Sequence, residues 1–177
     1  MKPIRLAACA LAALAVGCST LQVNTDYAPG TDFSKYKTFT MVAPTSAKNP
    51  IAAERLVNAI GNALSARGLQ RVEQGGDLDV HPHFVVGKDT QINTSGYGYG
   101  GWGGWRWGGT GMQTTTVQEI PTGTLVVDLV DSKTKGAVWR GVAKDNISTD
   151  ATPEERQAKA DEVCKELFAN FPPAAKK

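Results

Sequence analysis

The chain has 177 residues, 41% hydrophobic and 20% charged, with 19 basic and 17 acidic side chains. That length admits one domain around a single core. The near-balance of charge, with no basic cluster, argues against nucleic acid as a partner.

The first seventeen residues read as a secretory signal. Lys2 and Arg5 make a basic start, and an apolar stretch runs from Leu6 to Val16, broken only by Cys9. Eleven residues suit a signal but fall short of the roughly 20 needed to span a bilayer. The run Leu14-Ala15-Val16-Gly17-Cys18 then predicts lipoprotein processing, with cleavage before Cys18. Leu6-Ala7-Ala8-Cys9 is locally the better lipobox, but Arg5 lies just upstream and no apolar stretch precedes it. Diacylglycerol on the Cys18 sulfur and an N-acyl chain give a firm anchor, since two chains already suffice. Ser19 stands where inner-membrane lipoproteins of proteobacteria carry Asp, so the outer membrane is the expected destination. Removing Lys2 and Arg5 brings the basic residues level with the acidic ones. Of the three cysteines only Cys164 is then left free, so the mature domain is expected to lack an internal disulfide and to depend on packing.

Residues 18–35 are expected to form the lipidated tether and a first strand, with Leu21, Val23, Thr25 and Tyr27 alternating with polar positions. Asp32-Phe33-Ser34-Lys35 predicts one tight turn that tucks Phe33 inward, before a strand from Tyr36 to Val42. Asn49-Pro50 is a helix start, with Asn as cap and Pro in the first turn. The helix carries Leu56, Ile60, Ala63 and Leu64 on one face and stops at Gly68. Gly61 within it is expected to mark close packing against a sheet.

Strands follow near Leu69–Glu73, over Leu78–Lys88, over Met112–Ile120, and as a hairpin of Thr124–Ser132 with Gly136–Ile147. Thr152, Pro153 and Glu155 form a capping box for the last helix. Its stripe of Ala160, Val163, Cys164, Leu167, Phe168 and Phe171 must face a core. Pro172-Pro173 ends it, and residues 174–177 are a tail. The order predicts an α+β domain over 36–173, with a mostly antiparallel sheet and both helices on one face.

Residues 93–111 are low in complexity. Between Gly96 and Gly111, nine of sixteen residues are glycine, interleaved with Tyr97, Tyr99, Trp102, Trp105, Arg106 and Trp107. So glycine-rich a segment cannot offset its ordering entropy by burial, which predicts a mobile loop between strands. Its aromatic rings suit stacking on glycan rings, a lipid headgroup region or a partner's groove. The tract contains a formal GxGxxG, but with no helix after it a dinucleotide site is excluded.

Asp79, His81 and His83 alternate along one strand and so share a face, which makes them a weak metal candidate. The plainer reading is a solvated face on an edge strand that tolerates Pro82. Cys164 sits on the apolar stripe and reads as a core residue, as does Trp139 on the hairpin. Asp128, Asp131, Asp145 and Glu119 have no spacing that pairs them. No catalytic set and no cofactor is expected.

Several motifs occur in one order: the lipobox, Asp32-Phe33-Ser34-Lys35-Tyr36-Lys37-Thr38-Phe39, the helix ending in Gly68-Leu69, Gly76-Asp77-Leu78, Gly123-Thr124-Leu125-Val126-Val127-Asp128, Trp139-Arg140-Gly141 and Phe171-Pro172-Pro173. This series resembles the Gram-negative lipoprotein family catalogued as domain of unknown function (DUF) 4136. The resemblance implies an α+β domain on a lipid tether, with no established activity and no catalytic residues to carry over. Members often carry a Gly/Tyr/Trp-rich insertion where this chain has residues 96–111. The expectation is a periplasm-facing outer-membrane lipoprotein that binds rather than catalyses. Its expected contacts are membrane lipid through Cys18, the lipoprotein processing and export machinery, and an envelope protein or glycan. The alternatives are a peptidoglycan- or glycan-binding module using the aromatic loop, and a hydrolase with an unrecognised site.

Overall fold

The computed structural model describes residues 20–44, 49–96 and 113–174. In chain order these form β1 (Gln22–Tyr27), a 3-10 turn (Phe33–Lys35), β2 (Thr38–Met41), α1 (Pro50–Ala66), β3 (Gln70–Val72), β4 (Leu78–Gly96), β5 (Gln113–Asp131), β6 (Ala137–Asn146) and α2 (Pro153–Leu167). The fold is α+β. A six-stranded sheet runs in the order β1-β6-β5-β4-β2-β3. It is antiparallel from β1 to β4 and parallel where β2 joins β4 and β3.

Local chemistry sets both helix starts and the end of α1 as the sequence predicts, but α2 stops at Leu167 with Phe168 as its cap, so Phe171 packs from beyond the helix and Pro172-Pro173 does not end it. Asn49 caps α1 by accepting from Ala52 N at 3.2 Å, and Gly68 follows it at φ +91°, a conformation side chains disfavour. The α2 capping box is complete: Thr152 Oγ1 accepts from Glu155 N, and Glu155 Oε2 accepts from Thr152 N at 2.8 Å. Asp32 accepts from Ser34 N to hold the 3-10 turn, which sets the Phe33 ring edge-on to Tyr27, Tyr36 and Phe171.

Both helices cover one face of the sheet. Alternate residues of the central strands supply its floor: Leu78 and Val80 of β4, Leu125, Val127 and Leu129 of β5, and Trp139 and Ala143 of β6. From above come Ile60 and Leu64 of α1, and Cys164, Leu167 and Phe168 at the end of α2. Trp139 stacks on Phe168 with ring centres 5.0 Å apart. Gly141, two residues along β6, gives that indole its room, because a Cβ there would collide with Trp139 and lie 2.7 Å from Leu167 Cδ1. Gly61 is buried in α1 beside β3, with Arg71 Nη1 3.4 Å from where its Cβ would stand.

Three strand expectations differ from the structure. Residues 113–120 and 124–131 form one strand, since Pro121, which lacks an N–H, falls where no third described strand needs one. Its carbonyl accepts from Ile147 N at 2.8 Å, just past the end of β6. Consequently four strands, not five, separate the helices among the described residues. β4 is also longer than Leu78–Lys88, and it lies between β5 and β2 rather than at the edge. Pro82 is tolerated there because pairing with β2 ends as Val42 N donates to Val80 O at 2.9 Å. A proline two residues on has no N–H with which to extend that ladder.

Candidate functional site

The feature that projects from this body is the far half of the β4–β5 hairpin. β5 loses β6 after Thr122↔Asn146, and β4 has already lost β2. Among the described residues, the two strands pair only with each other from Lys88↔Pro121 to Gly96↔Gln113. Nine residues per strand make an arm roughly 30 Å long, and neither of its edges pairs with another described strand. Its base is fixed by Lys144 of β6, whose Nζ lies 2.6 Å from Asp89 Oδ2, and by Lys88 Nζ, which donates to Glu119 Oε2 at 2.6 Å. Val85 and Val86 at the base and Val117 farther out are each about 60% exposed.

The arm ends at Gly96 and Gln113, which flank residues 97–112 in sequence. Tyr97, Tyr99, Trp102, Trp105, Arg106 and Trp107 lie outside the described residues, as do Cys18 and the signal. What the structure gives is their frame: Gly96 and Gln113 are cross-strand partners, so the tract begins and ends at one point on the arm. Residues 93–96, which the sequence assigns to a loop, belong to β4.

Asp79, His81 and His83 share the sheet face away from the helices, as their alternation predicts. Asp79 is committed to Lys135, whose Nζ donates to Oδ2 at 2.9 Å. Among the described residues no three acidic, His or Cys side chains come together as a metal site. His81 stands opposite Asp128, which is opposite Arg140, which is opposite Asp26. Within this charged row Arg140 grips Asp128 with both arms of its fork, Nε to Oδ1 at 2.5 Å and Nη2 to Oδ2 at 2.8 Å.

Asp131, Asp145 and Glu119 each have a cationic partner. Asp131, nearly buried, accepts from Thr134 N at 3.0 Å, Tyr36 Oη at 2.8 Å, Lys35 Nζ at 3.1 Å and Lys133 N at 2.9 Å. These donors, led by the Thr134 N–H, hold its carboxyl well below the usual range and tie the β5–β6 turn to the 3-10 turn. Burial works to raise the Asp145 carboxyl, but Lys159, Thr20 and the Asn146 N–H outweigh it and keep Asp145 ionised. Glu119 is lowered by the hydrogen bond from Lys88. Cys164 is buried, and burial pushes its thiol up to about 12, so it packs as an inert core group. Sequence reasoning missed the work of Asp131 and Asp145, because Tyr36 lies 95 residues from Asp131 and Thr20 lies 125 residues from Asp145 along the chain.

Solved structures with this fold include a PelC dodecamer from Paraburkholderia phytofirmans, 13% identical, covering 89% of this chain and 99% of that one, with a TM-score of 0.51. A DUF4136 family protein from Bacteroides thetaiotaomicron is 16% identical over 86% of this chain and 96% of its own, with a TM-score of 0.51. A PDZ domain protein from Parabacteroides distasonis gives 0.54 at 14% identity, over 89% of this chain and 38% of that one. At these identities the likeness is one of fold. No curated protein matches the chain. The model of the family described as a domain of unknown function, DUF4136, matches residues 23–173, and the chain belongs to that family.

Proposed function

We propose that this is a binding protein of the bacterial envelope, held by lipid on Cys18 at the outer membrane with its domain in the periplasm. The β4–β5 arm is its contact element, and it works without catalysis. The arm carries this reading. A two-stranded ribbon is marginal in water by itself, yet here it extends past every covering element and displays apolar side chains. Unpaired strand edges are templates for an added strand, and they supply main-chain affinity to which the aromatic tract adds side-chain contacts. The commitment of Asp128, Asp131, Asp145 and Glu119 to ion pairs or hydrogen-bond cages fits a scaffold rather than acid–base chemistry.

The test is crosslinking in cells from a photoreactive residue at Val117, with and without residues 97–112. A discrete adduct that disappears with the tract supports the reading. The same adduct in both forms removes the tract from the contact, and no adduct from any arm position overturns the arm as a binding element. Retention on purified peptidoglycan that is lost in a triple Ala variant of Trp102, Trp105 and Trp107 makes the partner a glycan.

A further inference from the structure

The two helices do not cover the sheet evenly. Their buried residues cluster toward the C-terminal ends, Ala59 to Leu64 in α1 and Ala160 to Leu167 in α2. Toward the N-terminal ends the helices leave the sheet open, and Ile51 is 71% exposed. Between these halves and the sheet lies a groove of about 510 Å³, within the range of small-molecule sites. Leu56, Phe84, Leu125, Ala143 and Val163 line it, with Arg55 and Arg156 among its polar residues. A second cavity of the same volume shares Leu56, Phe84 and Leu125, so the apolar wall continues beneath α1 toward β4. Two adjoining apolar hollows suit a long, thin, flexible ligand.

The position of the N-terminus says which ligand. Thr20 Oγ1 donates to Asp145 Oδ1, and Asp145 lines this groove with its other oxygen 2.7 Å from Lys159 Nζ. Asp145 is only 9% exposed, so Thr20 is fastened at the groove wall. Cys18 is two residues upstream, within about 7 Å of extended chain.

We infer that the groove houses one acyl chain of the lipid on this protein's own Cys18. The inference rests on the lipoprotein reading above. An acyl chain matches the apolar lining, and its one carbonyl can accept from Arg55 or Arg156. Housing one chain of three leaves two in the bilayer, which is still a firm anchor.

The experiment uses the full-length chain made in a Gram-negative host fed a palmitate analogue with a terminal diazirine. The purified protein is irradiated and crosslinked peptides are identified by mass spectrometry. Adducts are expected on α1 and on residues 148–163. In A52W and A151W, which fill the groove from half-buried positions, they should fall about tenfold, as when overpacking costs the bound chain about 1.4 kcal/mol. Label on Cys18 without groove adducts overturns this inference and leaves the anchor standing. Absence of label on Cys18 removes both. Adducts that persist in both tryptophan variants also overturn it. So does a Cys18→Ala protein whose groove captures a diazirine phosphatidylglycerol from vesicles as strongly, since the occupant would then be a bilayer lipid.

Discussion

The same two strands, β4 and β5, pass through two environments without a break in register. From Leu78 to Val80 and from Leu125 to Leu129, alternate side chains are almost completely buried beneath the helices. A few residues farther on, Val85 and Val86 stand about 60% exposed past the end of β2, and Val117 is equally exposed where β4 and β5 pair only with each other among the described residues. Pairing makes both halves strand, but only the covered half contributes burial. The fold should therefore depend on the body and be nearly indifferent to the arm, while the contact reading has the opposite dependence.

The sharpest way to break that contrast is in the body. Trp139→Ala removes a ring that is 2% exposed and packed on Phe168 and Phe171. It should cost about 3–5 kcal/mol in urea denaturation. A loss below about 1 kcal/mol would mean that the covered half does not carry the fold.

Asp131→Asn should show next, in its pH dependence. The native carboxyl is held below its ordinary 3.8, so its stabilisation is complete above that value. It is lost as pH falls from about 4 toward the lower native value, because the unfolded chain takes up the proton first. Melting temperatures measured across that window should fall less steeply in the variant, which starts lower at neutral pH. Parallel slopes would sink the role assigned to Asp131.

The smallest effect belongs to the arm. Lys88→Ala breaks an ion pair whose side chains are both largely exposed, and should change stability by less than about 0.5 kcal/mol. A cooperative loss of several times that would show the arm to be part of the folding unit.

The legible parts of this fold were those settled within a few residues. Asn49-Pro50, Thr152-Pro153-Glu155 and Asp32-Ser34 each carry their partners within one turn, and each forms as its sequence predicts. Strand length was not legible in the same way. Whether Pro121 ends a strand depends on where β6 stops, and whether Pro82 sits at an edge depends on where β2 stops. Neither fact is local. The groove was hidden for a similar reason: the helical stripes show which faces are apolar but not where the helices leave the sheet uncovered. The Thr20–Asp145 hydrogen bond joins residues 125 apart, beyond any spacing rule. The aromatic tract was conspicuous in sequence, and the structure adds that its two ends are cross-strand partners on a long ribbon.

Among the described residues, β1 joins the sheet through β6 alone, antiparallel, from Gln22↔Lys144 to Tyr27↔Trp139. Ladder hydrogen bonds run perpendicular to the strands. A pull entering at the N-terminus along the axis of β1 therefore loads all six pairs together in shear instead of peeling them one after another. With the lipid anchor proposed at Cys18, tension would meet the mechanically resistant direction of the sheet, and a domain dragged by such a leash should keep its shape.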